Sequence, residues 1–253
     1  MVVSEDEFYV GYLDQAPPGI GRFTKLCAWA LVTLGLGIGA LVTAQQRNYG
    51  GGFFEFGVER SFEGWIELEP HPVLVVPRPS SEGVSRFLLS GFGKAGAEAE
   101  FAGYAGGDFV RLTGSAIYRE GDVMVEVAPG SVEASEPPLG RTLPEFLDLG
   151  QVQLVGEIAD SKCYLGVMDP GFAAPHRACA VRCISGGVPP VLIHRHPDGS
   201  ARTLLIVGPE GQAIGEQLLD RVAEPVEVNG RLERRGDQLV LFAAPEAFHP
   251  IGR

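Results

Sequence analysis

Along this chain of 253 residues the apolar positions follow two different rules. Between Leu26 and Ala44 they form nineteen residues without a charge, carrying Leu31, Leu34, Leu36, Ile38 and Leu41, with Lys25 and Arg47 outside the ends. That length crosses a hydrocarbon core as a helix, and glycines such as Gly35, Gly37 and Gly39 are common in membrane helices. The pattern predicts a transmembrane anchor at 26–44 preceded by a cytoplasmic tail at 1–25. Two alternatives stand beside it: a buried core helix, and a removed signal peptide cut after the small residues Val42, Thr43 and Ala44. Arg22 and Lys25 before the span favour a cytoplasmic N-terminus, which puts the remainder outside the cytoplasm.

After the anchor the apolar residues alternate, as they do in half-buried strands. The alternation also repeats. Val110, Leu112, Gly114, Ile117, Gly121, Asp122, Val123 and Val125 are matched by Val226, Val228, Gly230, Leu232, Gly236, Asp237, Leu239 and Leu241. Both runs read as a strand, a Gly-Asp turn and a returning strand. Upstream, Arg86-Phe87-Leu88-Leu89 with Gly91 corresponds to Arg202-Thr203-Leu204-Leu205 with Gly208, and Gly64 to Gly156. A repeat of this length marks duplicated domains, each the size of a small closed barrel. The expected fold is therefore all-β with minor α: two tandem OB-like barrels at 50–128 and 148–253, joined by a proline-bearing linker at 129–147.

The 35 glycines and 19 prolines have no collagen-like period and suit turns. A net charge of -12 with no basic block argues against nucleic acid as a partner. The expected partners are the lipid bilayer and, through the anchor, a membrane protein complex.

Candidate chemistry is confined to the second repeat. Gly156-Glu157-Ile158-Ala159-Asp160-Ser161-Lys162-Cys163 is followed by His176-Arg177-Ala178-Cys179-Ala180-Val181-Arg182-Cys183-Ile184 and by Gly186-Gly187-Val188-Pro189-Pro190. If 176–184 is helical, His176, Cys179 and Cys183 share one stripe, with Pro175 and Gly186 as punctuation. Cys163 then lies at the end of the opening strand. These runs, with Phe8-Tyr9-Val10-Gly11-Tyr12-Leu13 and Gly91-Phe92-Gly93-Lys94-Ala95-Gly96, resemble a family of bacterial membrane-anchored proteins that carry the same Cys/His motif on an OB-like domain. The resemblance implies an anchored extracytoplasmic domain pair in the inner membrane, and no activity comes with it.

Cys27, inside the anchor, reads as a small apolar residue. Three uses remain open for the other cysteines. Cys163 bridged to Cys179 or Cys183 would be a structural disulfide. Cys163, His176, Cys179 and Cys183 together would be a complete donor set for zinc or copper. A bridge exchanging with a free thiol would make a redox protein, the alternative to a binding or accessory subunit. Secondary candidates are Asp160 and Lys162, expected to pair with each other, and His194 and His196, which alternate on a strand face before a hairpin turn. Gly91–Gly96 lacks phosphate-loop spacing and reads as a tight loop. No Ser-His-Asp order or paired carboxylates support a hydrolase.

Overall fold

A computed structural model describes residues 16–45, 51–78, 83–138, 146–196 and 198–251. Residues 1–15 of the expected tail, Arg47, residues 139–145 of the expected linker and Pro197 lie outside that set. The chain divides into two units, Met1–Asn48 and Tyr49–Arg253.

Among its described residues the first unit holds one helix, α1 (Pro18–Gln45), 28 residues long where about 20 suffice to span a hydrocarbon core. It starts earlier than the uncharged run because Pro18 suits a first helical turn and Gly21 already donates to the Pro17 carbonyl at 2.8 Å. Its apolar side chains, Leu31, Leu34, Leu36 and Leu41 among them, are exposed, so it is not a helix buried in a protein core. The Thr33 and Thr43 hydroxyls donate to the carbonyls of Trp29 and Gly39, both at 2.9 Å, which satisfies them within the helix. The helix is long and apolar enough to cross a membrane.

The second unit contains two closed five-stranded barrels with the same connectivity. The first uses β2 (Arg60–Glu67), β3 (Val73–Pro77), β4 (Val84–Ser90), β5 (Phe109–Arg119) and β6 (Asp122–Val127); β1 (Gly52–Phe54) and β7 (Glu133–Ala134) add to β5. The second uses β8 (Leu147–Asp160), β9 (Pro190–Arg195), β10 (Ala201–Val207), β11 (Pro225–Arg235) and β12 (Gln238–Phe242), with β13 (Phe248–Pro250) on β11. In each, the first strand pairs with the second and fourth, and a parallel pairing of third with fifth closes the sheet. The helix α2 (Arg177–Ser185) is inserted between β8 and β9.

The repeated glycines sit where a neighbouring strand crosses too closely for a side chain. A Cβ at Gly64 would lie 2.5 Å from the Val75 carbonyl oxygen, and one at its counterpart Gly156 2.7 Å from that of Ile193. Gly114 and Gly230 stand in the same relation to Glu126 and Phe242, at 2.4 and 2.6 Å. The repeated Gly-Asp turns join the barrels. The Asp237 carboxylate accepts from the Arg86 amide at 2.9 Å and from the Arg78 guanidinium at 2.8 Å, while Asp122 accepts from the Thr203 hydroxyl. Each turn thus docks on the third barrel strand of the other barrel.

Alternation fills both interiors, with Ile66, Leu74, Leu112 and Val125 in one and Ile158, Leu192, Val228 and Leu241 in the other. The opposite parity is apolar too. Val73, Val75, Leu88, Ile117 and Met124 meet Val191, Ile193, Leu205, Val207 and Val240 in a third cluster between the barrels. Burying both faces of the same strands makes Tyr49–Arg253 one compact unit.

Candidate functional site

The chemistry gathers where β8 ends. Asp160, its last residue, is fully buried, and the chain then makes a single wide π-type turn, Cys163–Val167. One Asp160 oxygen accepts the Cys163 amide at 2.8 Å; the other lies 2.9 Å from Nε2 of His176. His176 sits immediately before α2, whose start follows Pro175 and whose end is Gly186. Cys179 and Cys183, one turn apart on α2, face Cys163.

Cys163 Sγ is 3.9 Å from Cys179 Sγ and 3.9 Å from Cys183 Sγ, and all three cysteines are unbonded. Cys163 and Cys183 are buried and Cys179 half-buried. A disulfide needs about 2.05 Å, whereas sulfurs held about 2.3 Å from a tetrahedral zinc are about 3.8 Å apart. The spacing is far from that of a bridge and close both to thiols in contact and to thiolates around an ion.

The four-donor set expected from the sequence is divided between two clusters. Cys163, Cys179 and Cys183 form one, and Asp160, Cys163 and His176 the other, each with ligand atoms within 4.8 Å of one another. His176 reaches Cys163 but does not join Cys179 and Cys183, because its imidazole is held by the buried carboxylate of Asp160. The expected Asp160–Lys162 pair does not form. The side chains leave the strand end in different directions, and Lys162 goes to Glu126. His194 and His196 stack edge to face at 4.9 Å on the open end of β9, with His194 Nδ1 2.8 Å from the Val155 carbonyl oxygen. Among the described residues they join no cluster of three metal donors.

The first barrel supplies what sequence reasoning missed. Lys94, in the loop Gly91–Gly96, places Nζ 2.7 Å from Cys179 Sγ and 3.8 Å from Cys183 Sγ. The loop is clamped from the second barrel. Lys162 Nζ donates to the carbonyls of Gly91 and Gly93, both at 2.8 Å, and the Gly96 amide donates to the Gly186 carbonyl at 2.8 Å. A Cβ at Gly186 would lie 1.9 Å from the Lys94 carbonyl oxygen, so glycine there lets loop and helix end meet. The tight loop was legible; the reach of its lysine across to the other barrel was not.

These contacts separate the thiols electrically. The Cys163 thiol is pushed well above the ordinary thiol range, first by its contact with Cys183 and then by burial and nearby Asp160. Cys183 lies below that range because its contact with Cys163, aided by the Lys94 charge, outweighs burial and Asp160. Lys94 is raised, chiefly by its bond to Cys179. The arrangement is one thiol pushed toward ionisation, one pushed away from it and a half-buried third sulfur under an ammonium group, which suits soft-metal binding and thiol exchange.

The division of donors makes His176→Ala informative. Asp160, with a fully buried side chain, would lose one of its two partners, so stability should fall by about 1–3 kcal/mol, and any metal held by the three sulfurs should remain. Calorimetry combined with metal analysis checks this. Loss of the metal together with the stability would instead make His176 a ligand. No family model matches the sequence, and no curated protein matches it.

Proposed function

We propose that the chain is a membrane-anchored binding or accessory subunit, and that its distinguishing feature is a zinc or copper(I) centre of Cys163, Cys179 and Cys183. One observation carries this reading: three unbonded sulfurs from two elements converge with edges of 3.9 Å to Cys163, at the spacing of metal-bound thiolates. Lys94 strengthens it, since an N–H donor onto a metal-bound sulfur offsets the charge of a thiolate cluster.

The barrels are read as OB-like, supported by five strands in Greek-key order with the third returning beside the fifth. Helix α1 and the family resemblance support a single pass through the inner membrane with the barrels outside the cytoplasm. A membrane protein complex is the partner class that fits an anchored pair of barrels, and the charge of -12 disfavours nucleic acid.

A second reading, thiol redox, is favoured by one feature. Cys163 is equally distant from both other sulfurs, so it can bridge to either.

Metal analysis of the full chain, extracted in mild detergent without reductant, tests both. About one metal ion per chain is expected, and cobalt(II) exchange should produce an intense sulfur-to-metal charge-transfer band. A Cys163–Cys179 or Cys163–Cys183 disulfide in the native protein, with no metal uptake after reduction, would sink the metal reading in favour of redox or a structural bridge.

A further inference from the structure

A different residue of the first barrel presents the clearest unsolved contact. His71 is 5% exposed, and neither ring nitrogen has a hydrogen-bond partner or is open to solvent. Buried polar groups left unpaired cost about 1–3 kcal/mol, so such a group calls for a partner. His71 lines a cleft of about 320 Å³ between the barrels, together with Glu98, Gly187, Ile214 and Glu216.

Nδ1 of His71 lies 3.9 Å from a Glu98 carboxylate oxygen. That is too long for a hydrogen bond. Two donors each about 2.1 Å from one ion span 3.9 Å at an angle of about 135°, and a small rotation of the half-exposed Glu98 carboxylate closes it to the tetrahedral separation of about 3.4 Å. The gap is too narrow for an organic ligand to enter between the two groups. Two glycines leave room for the Glu98 carboxylate. A Cβ at Gly96 would lie 2.1 Å from its second carboxylate oxygen, and one at Gly187, from the other barrel, 3.2 Å from it. Despite its burial, the Glu98 carboxyl is left below the usual carboxylate range by the facing imidazole and a backbone bond. Glu216, from the 3-10 turn Gly215–Arg221 of the second barrel, adds another acid to the lining of the cleft.

We infer that His71 and Glu98 form a cation site separate from the three sulfurs, taking a divalent first-row ion with water in its open positions and Glu216 facing it across the cleft. An imidazole and a carboxylate are borderline-to-hard donors, so manganese(II) or zinc(II) fits and copper(I) does not. The ion would sit between the barrels, drawing ligands from the first and charge from the second. This inference does not rest on the three-sulfur reading.

Manganese(II) is the appropriate probe because it disfavours thiolates, and loss of the free-ion paramagnetic resonance signal on titrating the detergent-solubilised full chain reports binding. One saturable ion per chain is expected. His71→Ala and Glu98→Gln should each weaken it by about tenfold or more, and Cys183→Ser should leave it unchanged. No saturable binding to the unaltered protein, or equal affinity in both variants, would overturn the inference. Loss of binding in Cys183→Ser with retention in Glu98→Gln would do so as well. If His71→Ala does not give a native circular dichroism spectrum, Glu98→Gln alone decides.

Discussion

Cys183→Ser is expected to abolish high-affinity metal binding at the three-sulfur centre while leaving both barrels folded. Serine is a poor donor to a soft or borderline ion, and its shorter bond withdraws the donor atom from the position the sulfur holds 3.9 Å from Cys163. Structural zinc sites with four protein donors bind with about 10–16 kcal/mol, so one donor accounts for roughly 3 kcal/mol or more. At about 1.4 kcal/mol per tenfold, affinity should fall at least about a hundredfold. Position 183 is 1% exposed, so the hydroxyl also lands in a buried site and the metal-free protein should melt somewhat lower. The diagnostic quantity is the rise in melting temperature on adding metal, which depends on binding to the folded state alone and should vanish in the variant. Cys27→Ser, in α1, should leave that rise intact. A Cys183→Ser protein with undiminished metal affinity would remove the centre from consideration.

What could be read from residue order follows the range of the interactions. The hairpins Phe109–Val127 and Pro225–Phe242 were legible because strand alternation and a Gly-Asp turn are local signals. The repeated glycines fall at equivalent places in the two barrels, and their reason is a strand crossing only the fold reveals. Cys179 and Cys183 on one helical stripe also needed nothing beyond helix periodicity. His176 was assigned to the same stripe, but a buried carboxylate at Asp160 competes for its imidazole, and periodicity is blind to that competition. The apolar residues of opposite parity, Val191, Ile193 and Leu205, carry no local signal that assigns them a neighbour. They are the contact between barrels, where the relative placement of two repeats decides what is buried. Lys94 and Glu126 escaped for the same reason: they lie 85 and 36 residues from their partners Cys179 and Lys162.

That inter-barrel contact leads to the second large effect, which concerns Lys162. Its side chain is 2% exposed, and its ammonium group is fully engaged, by the carbonyls of Gly91 and Gly93 at 2.8 Å and by the carboxylate of Glu126, itself 14% exposed. Lys162→Met keeps most of the volume and removes the charge, leaving a largely buried carboxylate and two carbonyls without their donor. Removing one partner of a buried ion pair costs about 3–5 kcal/mol, mostly from the charge left behind. For a unit the size of Tyr49–Arg253 this corresponds to a drop in melting temperature of about 6–20 °C. The double variant Lys162→Met/Glu126→Leu should recover part of the loss, because it no longer buries an unpaired charge. The function should respond separately from stability. Lys162 holds the loop that carries Lys94, so releasing it frees the ammonium from Cys179, and alkylation of Cys179 should change rate in the single and double variants alike. A melting temperature within about 2 °C of the unaltered protein would mean that the pair contributes nothing net. Unchanged Cys179 reactivity in both variants would show that the loop stays in place without Lys162, clamped by the Gly96–Gly186 contact alone.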